Sequence, residues 1–143
     1  MFSLTFVLIS CNDRQEEKKA DPSSIEKAKN KSTRYGMVTG VKPEKLEYYK
    51  KLHANPWPAV LKKIRECNIK NYSIYLKKIG SEYFLFSYFE YTGNDFDSDM
   101  KKMAADTATR RWWKETDPCQ LPLPDALAKK QMWSSMEEVF HTE

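Results

Sequence analysis

Alternating and helical patterns of apolar residues divide the chain into strands and helices from residue 34 onward. Residues 34–41 alternate in side-chain character as a strand does. Pro43 fits the first position of a helix. In that helix Leu46, Tyr49 and His53 recur on one face at the spacing of an amphipathic helix. The histidine is therefore predicted to point toward the core, near the end of its helix.

Two prolines follow this first helix. Pro56 disfavours helical geometry at Asn55, so the helix is predicted to end there. Asn55 can also cap a second helix that has Pro56 at its first position. The apolar stripe of that second helix continues through Val60, Ile64 and Cys67.

Two β-rich runs occupy the middle of the chain. Residues 71–79 and 82–91 are joined by Gly80-Ser81, which predicts an antiparallel hairpin with Tyr72 on its inward face. The second run is apolar on both faces, and such a strand needs cover on both sides. Helices are expected on one side, and a second subunit is expected on the other.

Two further helices are predicted after the hairpin. Residues 95–105 repeat the helical pattern, and Asp106 or Thr107 is expected to cap the next helix. That helix carries Trp112 and Trp113, which lie about 100° apart around its axis. We expect one tryptophan in the core and the other at a cleft.

The C-terminal part completes the predicted fold. Residues 118–125 are rich in proline and are predicted to form a loop, and residues 136–141 are predicted to form a short closing strand. The order strand, two helices, two strands, helices and strand is the α+β, ferredoxin-like split βαβ plan. With one apolar sheet face uncovered, we expect this plan to pair into a dimeric α/β barrel.

The first eleven residues suggest export. Residues 1–10 are apolar but too short to span a bilayer, and they match the length of a secretory core. The run Leu8-Ile9-Ser10-Cys11 resembles a bacterial lipobox, in which the cysteine is lipidated. We expect a membrane-anchored lipoprotein, periplasmic or at the cell surface. The alternative is a wrongly assigned start, or an accidental apolar run upstream of a cytoplasmic enzyme.

A polar segment separates this leader from the globular part. Residues 12–33 carry mixed charge and almost no large apolar residue, so they are predicted to form a flexible tether. The predicted organisation is a signal and lipobox at 1–11, a tether at 12–33 and one domain at 34–143.

Composition limits the classes of function that the protein can have. The net charge of +4 is spread along the chain without the basic stripe of nucleic-acid binders, so no nucleic-acid partner is expected. Cys11, Cys67 and Cys119 are too far apart for a disulfide framework or a zinc site, and no metal or other cofactor is expected. Aromatic residues reach 13 % of the chain, which suits a ring-rich core and interface or a platform for sugars.

His53 is the candidate for acid/base chemistry. It lies four residues after Tyr49 and four before Trp57, and its unperturbed pKa near 6.5 allows it to give and take a proton at neutral pH. A lone histidine in a helix is more often a surface or core residue. The aromatic neighbours and the nearby helix end make His53 a stronger candidate for a catalytic role than a lone histidine usually is.

Four short motifs, taken in order and spacing, resemble the L-rhamnose mutarotase family across residues 35–141. They are Tyr49-x-x-x-His53-x-x-x-Trp57-Pro58, Asn71-Tyr72-Ser73-Ile74-Tyr75-Leu76, Arg111-Trp112-Trp113-Lys114 and Glu138-Val139-Phe140. The resemblance implies a homodimeric isomerase of carbohydrate metabolism that needs no cofactor. It would interconvert the α and β anomers of a deoxyhexose pyranose by acid/base ring opening and closure. The resemblance assigns catalysis to His53 and substrate contacts to Tyr49, Tyr72, Trp112 and Trp113.

Two other functions fit the same residues. A surface-anchored sugar-binding module would use the aromatic side chains without turnover. A dimeric-barrel monooxygenase or small-molecule binder would share only the fold, because function is decided by the site.

Overall fold

The computed structural model describes residues 32–142. The predicted signal and lipobox at 1–11, and the predicted tether up to residue 31, lie outside the described residues. Within residues 32–142, no helix has both the length and the apolar character needed to cross a membrane.

The described chain is an α+β domain whose strands and helices follow one another closely. The first half contains β1 (Thr33–Val41), a 3₁₀ turn (Pro43–Lys45), α1 (Leu46–Ala54), α2 (Pro58–Glu66), β2 (Ile69–Ile79) and β3 (Glu82–Tyr91). The second half contains α3 (Phe96–Ala105), α4 (Thr107–Thr116), a 3₁₀ turn (Asp117–Cys119), β4 (Gln120–Leu121), α5 (Pro124–Ala128) and β5 (Ser134–Met136).

The strands form one antiparallel sheet in the order β2-β3-β1-β4, with β5 also paired to β1. This order is that of the ferredoxin-like split βαβ plan, so the fold class predicted from the sequence is confirmed. The hairpin between β2 and β3 turns at Gly80, whose φ of +60° is a conformation that glycine adopts without a steric penalty.

The core lies between one face of the sheet and the helices. One cluster of buried residues joins Val41 and Leu85 of the sheet to Leu46 and Tyr49 of α1. A second cluster joins the sheet to α2 and α3 through Cys67, Ile69, Phe89 and Met103. The first cluster therefore fixes α1, the helix that carries the candidate acid/base residue.

A β-bulge sets which residues of β2 face the helices. The register shifts between Lys70 and Ser73, and Asn71 has a φ of +50°. The extra residue lets Ile69 and Ile74, five positions apart, both point toward the core. Alternation then directs Tyr72 to the same side, as the sequence predicts.

A buried carboxylate connects the start of α3 to the ends of β2 and β3. Asp99 accepts hydrogen bonds from Asn68 Nδ2 at 2.7 Å, from the Tyr91 hydroxyl at 2.8 Å and from Lys102 Nζ at 2.8 Å. These donors, led by Lys102, lower the pKa of Asp99 to about 2. Thus the carboxylate of Asp99, at one end of the second cluster, is fully paired by hydrogen-bond donors.

The predicted start of the second helix is wrong by two residues. Asn55 ends α1, and α2 begins at Pro58 with the extended residue Trp57 as its N-cap. Both X-Pro pairs satisfy the local rule for a helix start. The contact between Trp57 and Trp112 accompanies the later of the two starts.

The predictions for the C-terminal part need two corrections. Residues 118–125, predicted as a loop, contain the end of a 3₁₀ turn, β4 and the first residues of α5. The closing strand, predicted at 136–141, is β5 and ends at Met136. Since Gly36 pairs with Met136, the same register would place residue 139 opposite Thr33, where β1 begins. β5 thus ends three residues before this register would reach the first residue of β1.

Candidate functional site

The candidate site is built on the last two turns of α1. Tyr49 and His53 are four residues apart, so their side chains lie one above the other on the same helix face. Their rings stack with centroids 4.1 Å apart and planes 28° apart. Tyr49 is only 4 % exposed and belongs to the core, whereas His53 is half-buried at its edge. The imidazole is therefore held by the core without being enclosed in it.

A backbone hydrogen bond fixes the protonation of His53. Its Nδ1 lies 2.9 Å from the carbonyl oxygen of Tyr49, and because that oxygen can only accept, Nδ1 carries the hydrogen and donates it. The other ring nitrogen, Nε2, then bears the lone pair. Burial lowers the pKa of His53, outweighing the raising effect of the bond to Tyr49. At neutral pH the side chain is thus a neutral base.

Trp112 forms the wall beside this histidine. Its ring meets His53 edge-on at 5.2 Å and Trp57 edge-on at 5.4 Å. Trp112 is 7 % exposed, whereas Trp113 is 36 % exposed. Hence one tryptophan belongs to the core and the other faces outward, as their angular separation on α4 predicts.

Two contacts fix the helix that carries these tryptophans. Asp106 caps α4 by accepting the backbone N–H of Thr109 at 2.8 Å. The hydroxyl of Tyr48 donates to Glu115 at 2.6 Å, which joins α1 to α4. The histidine and the tryptophan wall are therefore positioned by directly connected helices.

Tyr72 contributes a second phenol. Its ring stands edge-on to Phe89 at 5.6 Å, and the residue as a whole is 44 % exposed. Partial burial nevertheless raises the pKa of Tyr72 to about 12. Burial also raises the pKa of Tyr49, with a smaller contribution from Tyr72. Both phenols therefore stay protonated at neutral pH and act as hydrogen-bonding groups.

The structure adds two residues to those selected from the sequence. One is Trp57, whose ring extends the tryptophan wall and lies under the guanidinium of Arg111 at 5.6 Å. Asp117 was not selected at all. It is half-buried in the 3₁₀ turn that packs against α1, and its charge raises the pKa of Tyr49. No sequence pattern points to Asp117, because an aspartate near a helix end is common.

The predicted site residues are therefore arranged as one group with different exposures. Tyr49, His53 and Trp112 are in direct contact, and Tyr72 is close enough to Tyr49 to affect its ionisation. Trp113 follows Trp112 on the exposed side of α4. Among residues 32–142, no group of three or more His, Cys, Asp or Glu side chains is arranged to hold a metal ion. Cys11 lies outside the described residues.

Comparisons with known proteins place the described domain in one family. A family model described as L-rhamnose mutarotase matches residues 34–142. An L-rhamnose mutarotase of Ligilactobacillus salivarius is 33 % identical over 114 residues, covering 77 % of this chain and 97 % of the relative. One from Oceanobacillus iheyensis is 30 % identical over 108 residues, covering 76 % and 96 %. The crystal structure of an L-rhamnose mutarotase from Formosa agariphila superposes with a TM-score of 0.58 at 21 % identity, covering 78 % of this chain and all of that one.

Proposed function

The chain belongs to the L-rhamnose mutarotase family, and on this premise we propose that it interconverts the α and β anomers of L-rhamnose with His53 as the acid/base group. The observation that carries the assignment to His53 is its Nδ1 bond to the Tyr49 carbonyl, which leaves Nε2 as a base. The enzyme is an isomerase.

The chemistry needs one proton to leave the sugar and one to arrive. Neutral His53 accepts the proton of the anomeric hydroxyl at Nε2 while the bond between C1 and the ring oxygen breaks. The imidazolium gives this proton to the ring oxygen, which becomes a hydroxyl, while C1 becomes an aldehyde. After rotation about C1–C2 the hydroxyl attacks the other face of the aldehyde and gives its proton to Nε2. The imidazolium then returns its proton to the new anomeric oxygen, so no proton is gained or lost.

The aromatic residues can bind the parts of the sugar that do not react. Trp112 and Trp113 provide flat apolar surface for the pyranose ring and its methyl group. Tyr49 and Tyr72 keep their hydroxyl hydrogens at neutral pH and supply hydrogen bonds to the oxygens of the sugar.

Saturation-transfer NMR on equilibrated L-rhamnose tests this function with the full chain. Irradiating H1 of one anomer reduces the H1 signal of the other only when exchange is faster than relaxation. We expect transfer when the protein is added and none above the uncatalysed level with a heat-denatured sample. Binding of the sugar without added transfer would overturn the enzyme and support a sugar-binding module.

We also propose that the protein is a homodimer through the sheet face on which residues 32–142 place no helix. Val38, Phe86 and Tyr75 form a row across β1, β3 and β2, since directly paired residues share a face. Tyr75 is 63 % exposed, and Val38 and Phe86 are partly exposed. At the C-terminus Phe140 is 81 % exposed. A contiguous apolar surface of this kind is typical of a protein interface.

Replacing Phe86 by aspartate should abolish this dimer. The variant places a charge in the middle of the apolar row, and a buried unpaired charge is strongly unfavourable. We expect wild type to sediment as a dimer and Phe86→Asp as a folded monomer in analytical ultracentrifugation. Leu61→Asp is the matched control, because Leu61 is exposed on α2, in the helical layer. A monomeric wild type, or a dimer in both variants, would contradict the proposal.

The N-terminal assignment is a separate proposal that rests on the sequence. We propose that Cys11, in Leu8-Ile9-Ser10-Cys11, is lipidated and holds the protein at a membrane. Metabolic labelling with an alkyne fatty acid in a bacterial host should mark the wild type in the membrane fraction and leave Cys11→Ser unlabelled. Labelling of both would reject Cys11 as the acceptor, and labelling of neither would favour a cytoplasmic enzyme.

A further inference from the structure

One carboxylate beside the site, that of Asp117, has no hydrogen-bond partner among residues 32–142. Asp117 follows the last residue of α4, and its backbone N–H donates to the carbonyl of Trp113. Its side chain is half-buried. Among residues 32–142, no backbone amide, hydroxyl or basic side chain donates a hydrogen bond to its carboxylate, and burial raises its pKa. The carboxylate therefore retains unused acceptor capacity.

The position of Asp117 also works against stability. It lies at the C-terminal end of α4, where the helix dipole disfavours negative charge. Partial burial without a donor adds a desolvation cost. A carboxylate placed to stabilise a helix would instead lie at the N-terminus, as Asp106 does on the same helix. Stabilisation of the fold therefore does not account for Asp117.

The surroundings of Asp117 place its charge at the candidate site. The 3₁₀ turn that it begins packs against α1, and Cys119 of this turn lies in the same core cluster as Tyr49. Trp113, the exposed member of the tryptophan pair, lies four residues earlier and thus on the same face of α4. The carboxylate is near enough to Tyr49 to affect its ionisation. Asp117 thus borders the side of the site between Tyr49 and Trp113.

We propose that Asp117 is a substrate-binding residue whose carboxylate accepts hydrogen bonds from ring hydroxyls of the sugar and helps to select among deoxyhexoses. A pyranose is uncharged and carries several hydroxyl donors, and an ionised carboxylate can accept two or more of them. The proposal rests on the proposed function. It adds Asp117 as the residue that binds the ring hydroxyls of the sugar. Its bonds are expected at hydroxyls other than the anomeric one, which reacts at His53.

Asp117→Asn tests the proposal, with Asp97→Asn as its matched control. Asp97 is exposed in the first turn of α3, outside the site. Hydrogen bonds to a charged group are worth enough for a loss of about 10–100-fold in kcat/KM. Since these bonds exist before and during ring opening, we expect the change mainly in KM. The unfolding midpoint of Asp117→Asn should equal or exceed that of wild type.

A set of L-rhamnose analogues, each lacking one ring hydroxyl, identifies the contacted group. With wild type, the analogue that lacks a contacted hydroxyl should lose about as much kcat/KM as Asp117→Asn loses with L-rhamnose. With Asp117→Asn, the same analogue and L-rhamnose should differ little. An unchanged KM in Asp117→Asn, or a loss of activity together with a lower unfolding midpoint, would overturn the proposal. Failure of the proposed function is distinguishable, because wild type would then not accelerate exchange of L-rhamnose at all.

Discussion

His53→Ala is expected to lower the protein-catalysed rate of anomer exchange by about 10²–10⁴-fold, the usual contribution of a positioned acid/base group. The variant removes Nε2, the nitrogen left free by the bond between Nδ1 and the Tyr49 carbonyl. The binding surface should remain in place, because Trp112 also contacts Trp57 and Tyr49 also packs in the core cluster of Val41 and Leu85. Saturation-transfer NMR at several protein concentrations measures the catalysed part above the spontaneous rate.

The other histidine provides the control. His141 is exposed near the C-terminus, so His141→Ala should exchange anomers at the wild-type rate.

The pH dependence of the rate is an independent check on His53. Because burial lowers the pKa of His53, its neutral form persists to more acidic pH than in a free histidine. The kcat/KM of wild type should therefore fall only below pH 6.5, the ordinary value for histidine. Equal rates in His53→Ala and wild type would remove His53 from the reaction.

Trp112→Ala is expected to have the largest effect on folding. The side chain is 7 % exposed and contacts both His53 and Trp57, so truncation leaves a cavity between α1 and α4. Losses of about 3–5 kcal/mol in the free energy of unfolding are usual for such a change. This is a large part of the stability of a domain of this size. Urea unfolding followed by circular dichroism measures the loss.

Trp113→Ala is the matched comparison one residue away. Its side chain is 36 % exposed, so we expect a loss of less than about 1 kcal/mol in the free energy of unfolding. Its apolar surface is proposed to contact the sugar, and truncation should raise KM with a nearly wild-type midpoint of unfolding. Equal destabilisation by the two variants would show that both tryptophans are core residues. A wild-type KM in Trp113→Ala would remove it from the substrate contacts.

These variants distinguish residues that stabilise the fold from neighbouring residues that contact the substrate. Trp112 stabilises the junction between the helices and shapes the wall beside His53. Trp113 and Asp117 lie on the outward face of the same helix and its end, where they add little to the core. We therefore expect activity and stability to respond to different members of the site.

The sequence located the elements that rest on local rules. Apolar spacing places Tyr49 and His53 on one face of α1, and the hairpin is specified by β-rich runs around Gly80. Asp106 is the N-cap of α4, one of the two residues named for that role. The ferredoxin-like order of elements follows from these local predictions. Each depends only on neighbours within a few residues.

Local rules were insufficient where two positions satisfy them equally. Pro56 and Pro58 can each begin a helix, and α2 begins at the second, where Trp57 contacts Trp112 about fifty residues away. Residues 136–141 have a strand pattern throughout. Pairing to β1 nevertheless ends at Met136, although residues 33–35 of β1 lie opposite residues 137–139 in the same register. Neither the start of α2 nor the end of β5 follows from the local pattern alone.

The amino-acid sequence alone thus determined the fold class, the acid/base candidate and the aromatic residues around it, since periodicity and short motifs encode them. The three-dimensional structure was needed to show which nitrogen of His53 is free, because the helix brings the Tyr49 carbonyl, an acceptor, to Nδ1. It also separated Trp112 from Trp113 by burial and packed the 3₁₀ turn that begins at Asp117 against α1. Burial and electrostatic proximity arise from the packing of segments far apart in the chain, so no local pattern contains them.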